Sequence, residues 1–490
     1  MVIDLNAPEA IIREHRLGSV LSYRGPASEL CRLSRTGGLS CHDNTFNQCG
    51  DCSAQRAMLP ISQIRDGAMV NHAPIGCAGD FSLFNSQFRR GLGYRGLPAN
   101  NLRALSTNLT ESDMVYGGAD KLARTIRLAN QRFSPAAIFI TTSCASGIIG
   151  DDVEQVSQEA EAELGVPIVP VYCEGFKSRI WTTGFDACYH SILRKLVKPP
   201  KVKRRNLINI MGFTNEPAFT PFLAKLGLEA NYLVHQSSVE ELGRMSEAAA
   251  SAHMCETLGT YLARGLEQEF GVPEVPSPPP YGLDWSDRWL RAVGQITDRS
   301  DLAEKVIIEE RRRIGPKLEE IRKELSGLSV YAVAGASFGH SMLAICQDLG
   351  LKVLGMTGFH HDLRFDNDYE ETNSLNNAVD LIGDMPHYHV CNKQPYQLVN
   401  ILGQLKPDLL MGRHEGLPVA GVKMGIPTFF ASDANLMIGY DGLVYTGRMI
   451  IRVLRSRNFA RNLARHSRPP YTDWWLTQDP FMFRRSGDGF

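Results

Sequence analysis

Four cysteines stand where a thiolate can do chemistry. Cys77 lies in His72-Ala-Pro-Ile-Gly-Cys77, a loop tightened by Pro and Gly. Cys144 follows the apolar run 136–142 in Thr-Thr-Ser-Cys144-Ala-Ser-Gly-Ile-Ile-Gly-Asp-Asp152. Iron and zinc bind thiolates, and Gly-rich turns supply backbone N–H groups that stabilise negative sulfur. A lone cytosolic Cys is more often a small buried hydrophobe, but a loop position beside Gly favours ligation for Cys77 and Cys144. Cys52 closes a cluster, SCHDNTFNQCGDC, in which Cys41, Cys49 and Cys52 taken alone look like half of a zinc ribbon. Three loop cysteines spread over about a hundred residues leave a four-coordinate site incomplete, to be finished by a second chain. Cys255 differs. It opens an amphipathic helix with Leu258, Tyr261, Leu262, Leu266 and Phe270 on one face, so its thiol sits at a helix N-terminus, where the dipole lowers a thiol pKa. A thiolate there binds a metal or attacks a substrate; the alternative is a Cys capping a buried helix end.

These residues need a scaffold, and the sequence offers short apolar runs ending at turn residues and followed by helical patterns. The runs at 136–142, 168–172, 207–211, 330–334, 353–356 and 409–411 read as strands, and their alternation with helices predicts parallel α/β domains. In such sheets chemistry lies just beyond the carboxyl ends of strands. The run KPPKVKRR at 198–205 reads as an exposed linker, and the charged helix at 301–325 places a second boundary near Gly327. The expected division is 1–200, 201–326 and 327–432, with 433–490 packing on the first region or on a partner chain; 273–280, rich in Pro, reads as a stiff connector.

The chain of 490 residues is too long for one core and suggests about three domains. Lys+Arg 52 against Asp+Glu 53 leaves a net charge of -1, so no global field draws it to nucleic acid or to an anionic membrane. Neither a secretory signal in the first ten residues nor a long uninterrupted apolar stretch is evident, which predicts a soluble, cytoplasmic protein. In that compartment eleven cysteines argue for metal binding over structural disulfides.

Seven motifs in order resemble the catalytic-component subunits of nitrogenase and nitrogenase-like reductases, on the D-type (alpha) side. They are Ala-Pro-Ile-Gly-Cys77, Thr-Ser-Cys144 through Asp152, Val171-Tyr-Cys-Glu-Gly-Phe176, Cys255 with Gly271-Val-Pro273, Phe365-Asp-Asn-Asp-Tyr369, Lys406-Pro-Asp-Leu-Leu410 and Met424-Gly-Ile-Pro427. The resemblance spans about residues 20–450 and implies three Rossmann-like domains with parallel sheets, paired with a homologous K-type (beta) subunit in a heterotetramer. By the same resemblance Cys52, Cys77 and Cys144 hold half of an interfacial iron–sulfur cluster, of the 8Fe-7S P-cluster type or 4Fe-4S. Cys255 holds one end of a larger iron–sulfur cofactor, either FeMo-cofactor-like or its all-iron precursor. Electrons come from an ATP-dependent 4Fe-4S reductase, the H-type iron protein; this chain has no G-x-x-x-x-G-K-[ST] and is not expected to hydrolyse ATP.

Departures from the family pattern bear on substrate. Ser432 occupies the nearest equivalent of the second, histidine, ligand of the cofactor. Trp181 and Phe185 replace a Gln and a hydrogen-bonding His, and Asn85 an Arg. Arg413 and His414 fall near the place where nitrogenases anchor homocitrate with Lys. His361 or His414, in GFHHDLR and GRHEG, is expected to relay protons or to replace the missing ligand, against a plain reading as hydrogen-bonded loop histidines. His387 and His389 alternate on a strand and read as structural, and Gly335-Ala-Ser-Phe-Gly339 reads as a tight βα turn. An apolar pocket without the imidazole suits an organic substrate better than dinitrogen. The branch that fits is the methylthio-alkane reductase type, which releases methanethiol from a small organic sulfur substrate. The alternatives are a maturation scaffold of the E-type, or a dinitrogen- or tetrapyrrole-reducing relative.

Overall fold

The structure, a computed structural model, describes residues 2–39, 52–212, 217–391, 395–414, 417–431, 437–468 and 470–479. Cys41, Cys49 and Ser432 lie outside the described residues. After a short strand β1 (Ser22–Gly25) the chain builds three sheets. In the first, β2 (Gly67–Asn71), β3 (Ala104–Ser106), β4 (Ala137–Thr141) and β5 (Ile168–Val171) run parallel in the order β3-β2-β4-β5. In the second, β6 (Arg204–Gly212), β7 (Glu229–Val234) and β8 (Ala248–His253) run parallel in the order β7-β6-β8. The third contains β9 (Ser329–Ala334), β10 (Lys352–Gly358), β11 (His387–Cys391), β12 (Leu409–Gly412) and β13 (Thr428–Phe430) in the order β1-β11-β10-β9-β12-β13. Only β1 is antiparallel, against β11.

Each sheet has a place where chain order reverses, which is where an open parallel sheet leaves a crevice at its carboxyl edge. These places lie between β2 and β4, between β6 and β8, and between β9 and β12. The strands there are covered on both faces. In Ala137–Thr141 every residue is buried: Phe139 packs with Val169, Val171 and Phe185, while Ile138 and Ile140 pack on the other side with Ile126 and Ile168. That alternation explains an uninterrupted apolar run in a parallel strand.

The chain divides into two compact units. One comprises Met1–Arg16, Asp51–Met254 and Leu258–Val275, with the first two sheets. The loop at 198–205 is largely exposed, as its charge suggested, yet the sheets on its two sides share one apolar core in which Val169 and Phe185 pack with Met211, Leu233 and Tyr261. The other unit comprises Leu17–Gly50, Cys255–Thr257 and Pro276–Phe490, with the third sheet and a core around Tyr331, Val333, Phe359 and Leu410. The C-terminal segment, expected against the first region or a partner, lies within this second unit. A Cβ on Gly447 of helix Gly439–Arg455 would stand 2.7 Å from Ile321 Cγ2 of helix Ser300–Leu325, so those helices touch at close range. The Tyr396 hydroxyl donates to Trp475 O at 2.6 Å, and Asn400 donates to Leu476 O at 3.0 Å. Among the described residues no helix is long and apolar enough to cross a membrane.

Candidate functional site

Cys77 and Cys144 follow β2 and β4, the strands that flank the crevice of the first sheet. Asn71 and Thr141 pair at the carboxyl ends of these strands, so the two loops start side by side. Cys77 sits half-buried in the 3-10 turn Ile75–Ala78, with its N–H donated to Pro74 O at 3.0 Å. Cys144 is exposed as the first residue of helix Cys144–Ile149, whose cap Ser143 accepts from Ser146 N at 3.3 Å. Cys52, half-buried, caps helix Ser53–Ser62, and its own N–H donates to Gln55 Oε1 at 3.2 Å.

Two of the three thiols, those of Cys52 and Cys144, meet at the turn after β5, and Cys77 lies within electrostatic range of both. A Cβ on Gly175 would lie 3.1 Å from Cys52 Cβ, 3.4 Å from Cys52 Sγ and 3.5 Å from Cys144 Sγ. Burial, and then the neighbouring sulfurs of Cys52 and Cys144, push the Cys77 thiol up from its ordinary pKa. Thus two free thiols from separate loops, Cys52 and Cys144, face a glycine that leaves room between them, with the third, Cys77, in electrostatic range of both. Among the described residues no three His, Cys, Asp or Glu side chains converge tightly enough to hold a single metal ion. The all-sulfur donor set and the side-chain-free cradle fit a multi-iron cluster better than a lone zinc.

Hydrogen bonds hold the loops in place. Ser143 Oγ donates to His72 O at 2.9 Å, tying the loop of Cys144 to that of Cys77. Burial lowers the His72 pKa, so the ring is neutral: Nε2 donates to Asp151 Oδ2 at 2.9 Å and Nδ1 accepts from Thr107 at 3.2 Å. Ser53 Oγ donates to Cys173 O at 3.3 Å, fastening the 173–176 turn to the helix that Cys52 caps. Cys173, as expected of a non-ligand, is buried, and burial holds its thiol protonated.

Trp181 and Phe185 are buried in the same unit, with ring centroids 6.3 Å apart at 65°. Phe185 belongs to the shared apolar core, and Trp181 lies under the Arg56 guanidinium at 5.0 Å. Asn85 accepts from Leu102 N at 2.9 Å and so braces a loop.

Cys255 follows β8 in the chain and is buried immediately before helix Glu256–Phe270. The helix has the expected face: Tyr261, Leu262 and Leu266 are core residues, with Leu258 and Phe270 packed against them. In the second unit the loops after β9, β10 and β12 come together. The His414 ring, on backbone with a left-handed φ of 73°, lies 4.9 Å from the Phe359 ring, and its Nε2 is 3.8 Å from where a Cβ on Gly335 would stand. Arg413 lies over Phe338 at 4.6 Å and donates to Ala431 O at 3.4 Å. His361 is buried against the Ser34 hydroxyl, and burial pushes its pKa down to about 4. His360, also buried, has Nε2 3.5 Å from Asp362 Oδ2. Gly335 stands between β9 and helix Ala336–Asp348, as the tight-turn reading expects. His387 is exposed and His389 buried on β11.

Sequence reasoning missed Gly175, Ser337 and Glu256. The first appears only as part of a motif, and the other two are ordinary residues whose partners lie far along the chain.

A model of the family described as Nitrogenase component 1 type Oxidoreductase matches residues 52–455. The chain is 25% identical over 475 residues to the Nitrogenase iron-molybdenum cofactor biosynthesis protein NifE of Methanococcus maripaludis, covering 91% of this chain and 92% of that one. It is 27% identical over 403 residues to the Nitrogenase molybdenum-iron protein alpha chain of Methanothermobacter thermautotrophicus, covering 79% and 83%. The solved structure "Nitrogenase Cp1 at pH 6.5" shares the fold, with a TM-score of 0.71 at 20% identity, over 88% of this chain and 93% of its own. With most of its length matched, the chain belongs to the nitrogenase component 1 type oxidoreductase family, where it is similar to both alpha chains and NifE proteins.

Proposed function

We propose that this chain is the D-type subunit of a nitrogenase-like reductase that cleaves the C–S bond of small methylthio-alkanes. In this reading Cys52, Cys77 and Cys144 hold their half of an interfacial iron–sulfur cluster. In the same reading Cys255 holds a larger iron–sulfur cofactor, with Arg413 as a further cofactor-binding residue; Ser432, the other candidate, lies outside the described residues. The observation that carries the reading is the approach of the free Cys52 and Cys144 thiols to Gly175, with the Cys77 thiol in electrostatic range of both.

The rim of that site supports a partner chain. Ile75, Ile148 and Phe176 stand 63%, 76% and 56% exposed on the same loops as the cysteines. Apolar side chains clustered on one surface mark an interaction site, and a K-type subunit seated there brings the missing half of the ligand set. When bound, the iron–sulfur centres supply low-potential electrons delivered by the ATP-dependent reductase. The overall change balances as CH3–S–R plus two electrons and two protons giving CH3SH and RH: one C–S bond breaks, and one S–H and one C–H bond form. Phe185 has no proton to give and the Trp181 indole is a donor only, so neither returns protons to a substrate. His414, half-buried, and His361, neutral and paired with Ser34, are the proton-relay candidates.

Co-expression with the K-type partner, anaerobic purification and assay with reductase and ATP tests this. Methanethiol formed from dimethyl sulfide, without ammonia from dinitrogen, is the expected result. A second reading, a cofactor maturation scaffold, is favoured by the similarity to NifE over nine-tenths of both chains. It predicts transfer of a cluster to an apo acceptor and no methanethiol.

A further inference from the structure

Glu256, next to Cys255, ties the first turn of helix Glu256–Phe270 to two helices of the second unit. Its backbone N–H, one of the donors a helix start leaves without an intrahelical partner, goes to Ser337 Oγ at 3.1 Å, on helix Ala336–Asp348. Its carboxylate Oε2 accepts from Ser374 N at 2.7 Å, the first residue of helix Ser374–Ile382. The carboxylate therefore lies at two helix N-termini, its own and that of Ser374, where a negative charge is favourable.

Behind Ser374 the bonds continue. Ser374 Oγ is 2.8 Å from His340 Nδ1, and His340 Nε2 is 2.7 Å from the Tyr388 hydroxyl, with the two rings stacked at 5.8 Å. Burial keeps His340 neutral and Tyr388 protonated. The phenol thus donates to Nε2, and Nδ1–H donates to Ser374. Tyr388 is fully buried on β11 and His340 is buried on its helix, so the far end of the series is fixed by the core.

We propose that Glu256 is the positioning residue of the Cys255 thiol: through Ser337 and through Ser374–His340–Tyr388 it locks the turn that presents the sulfur, so that the ligand is aimed before any metal arrives. Pre-aimed ligands are what a metal site requires of the groups behind it. The inference rests on the reading of Cys255 as the cofactor ligand, but its test needs no cofactor.

The test is the alkylation rate of Cys255 by iodoacetamide in the full-length, metal-free chain, followed by mass spectrometry, with the buried Cys346 and Cys391 of the same unit as internal reporters. Alkylation of a buried thiol requires local opening. Loss of a charged acceptor in Glu256→Ala is expected to raise the Cys255 rate at least ~10-fold and leave Cys346 and Cys391 unchanged. Glu256→Gln, whose amide oxygen still accepts from Ser374 N, is expected to stay within about threefold of wild type. If Glu256→Ala does not fold, Ser337→Ala, which removes only the acceptor of the Glu256 N–H, is expected to raise the Cys255 rate alone. An unchanged Cys255 rate, equal acceleration of all three thiols, or no rescue by Gln overturns the proposal. Full iron content in assembled Cys255→Ala overturns the ligand reading instead, whatever the alkylation rates.

Discussion

Gly175→Ala puts a methyl group 3.1 Å from Cys52 Cβ and 3.5 Å from Cys144 Sγ, in the space between those two thiols. Its backbone is not in the left-handed region, so the fold should accept the change with a cost within ~1 kcal/mol. The expected outcome is a loss of at least about half the iron at this site with little change in melting temperature, read by metal analysis and calorimetry. A second residue-scale prediction concerns acid. Burial pushes the His389 pKa down to about 3, below its unfolded value near 6.5. The folded chain therefore keeps the ring neutral while the unfolded chain takes up a proton, so this stability is complete above pH 6.5 and is lost as pH falls toward the folded pKa. Between pH 7 and 4.5 the cost is about 3 kcal/mol. Urea unfolding at the two pH values should show a smaller difference in His389→Leu than in wild type; equal differences would contradict it. At this scale the positions of Cys77 beside Gly76 and of Cys144 after an apolar run were local signals in the sequence. Gly175 and Glu256 were not, since what matters is the residue each approaches across the fold.

Helix Thr183–Lys195 lies so close to helix Ser53–Ser62 that a Cβ on Gly184 would fall 1.9 Å from Ser53 O and 2.7 Å from Ala57 N. Because Cys52 caps the second of these helices, Gly184→Ala is expected to move the Cys52 thiol as well as to strain the core. A destabilisation of ~1–3 kcal/mol, with reduced iron binding, is the expected result; denaturant midpoints and metal analysis check it. The strands that were legible, such as Ala137–Thr141 and Ser329–Ala334, are apolar runs buried on both faces. Those that were not have a physical excuse. β8 reads AAASAH, with no β-branched residue to mark it, β3 has three residues, and β1 is held by its pairing with β11 from more than three hundred positions away. β8 leads toward Cys255, whose position could therefore be read only from the helix that follows.

At the scale of the molecule, one rule accounts for three of the four cysteines: Cys77, Cys144 and Cys255 each follow a strand that flanks a reversal of chain order. From the sequence only Cys144 was placed after a predicted strand; β2 and β8 were not read, and strand order is something local pattern does not encode. The exposed Ile75, Ile148 and Phe176 around the first site predict a partner there. Ile148→Asp should abolish co-purification of a K-type subunit while leaving the isolated chain's melting curve unchanged, because Ile148 is 76% exposed.

The most direct test of the whole account is iron and sulfide analysis with EPR on the anaerobically purified complex, comparing wild type with Cys77→Ala and Cys255→Ala. Two independent losses are predicted: Cys77→Ala depletes the interfacial centre, and Cys255→Ala removes the larger cofactor and keeps the interfacial signal. Wild-type iron in both variants, or an iron-free wild-type complex, would contradict it.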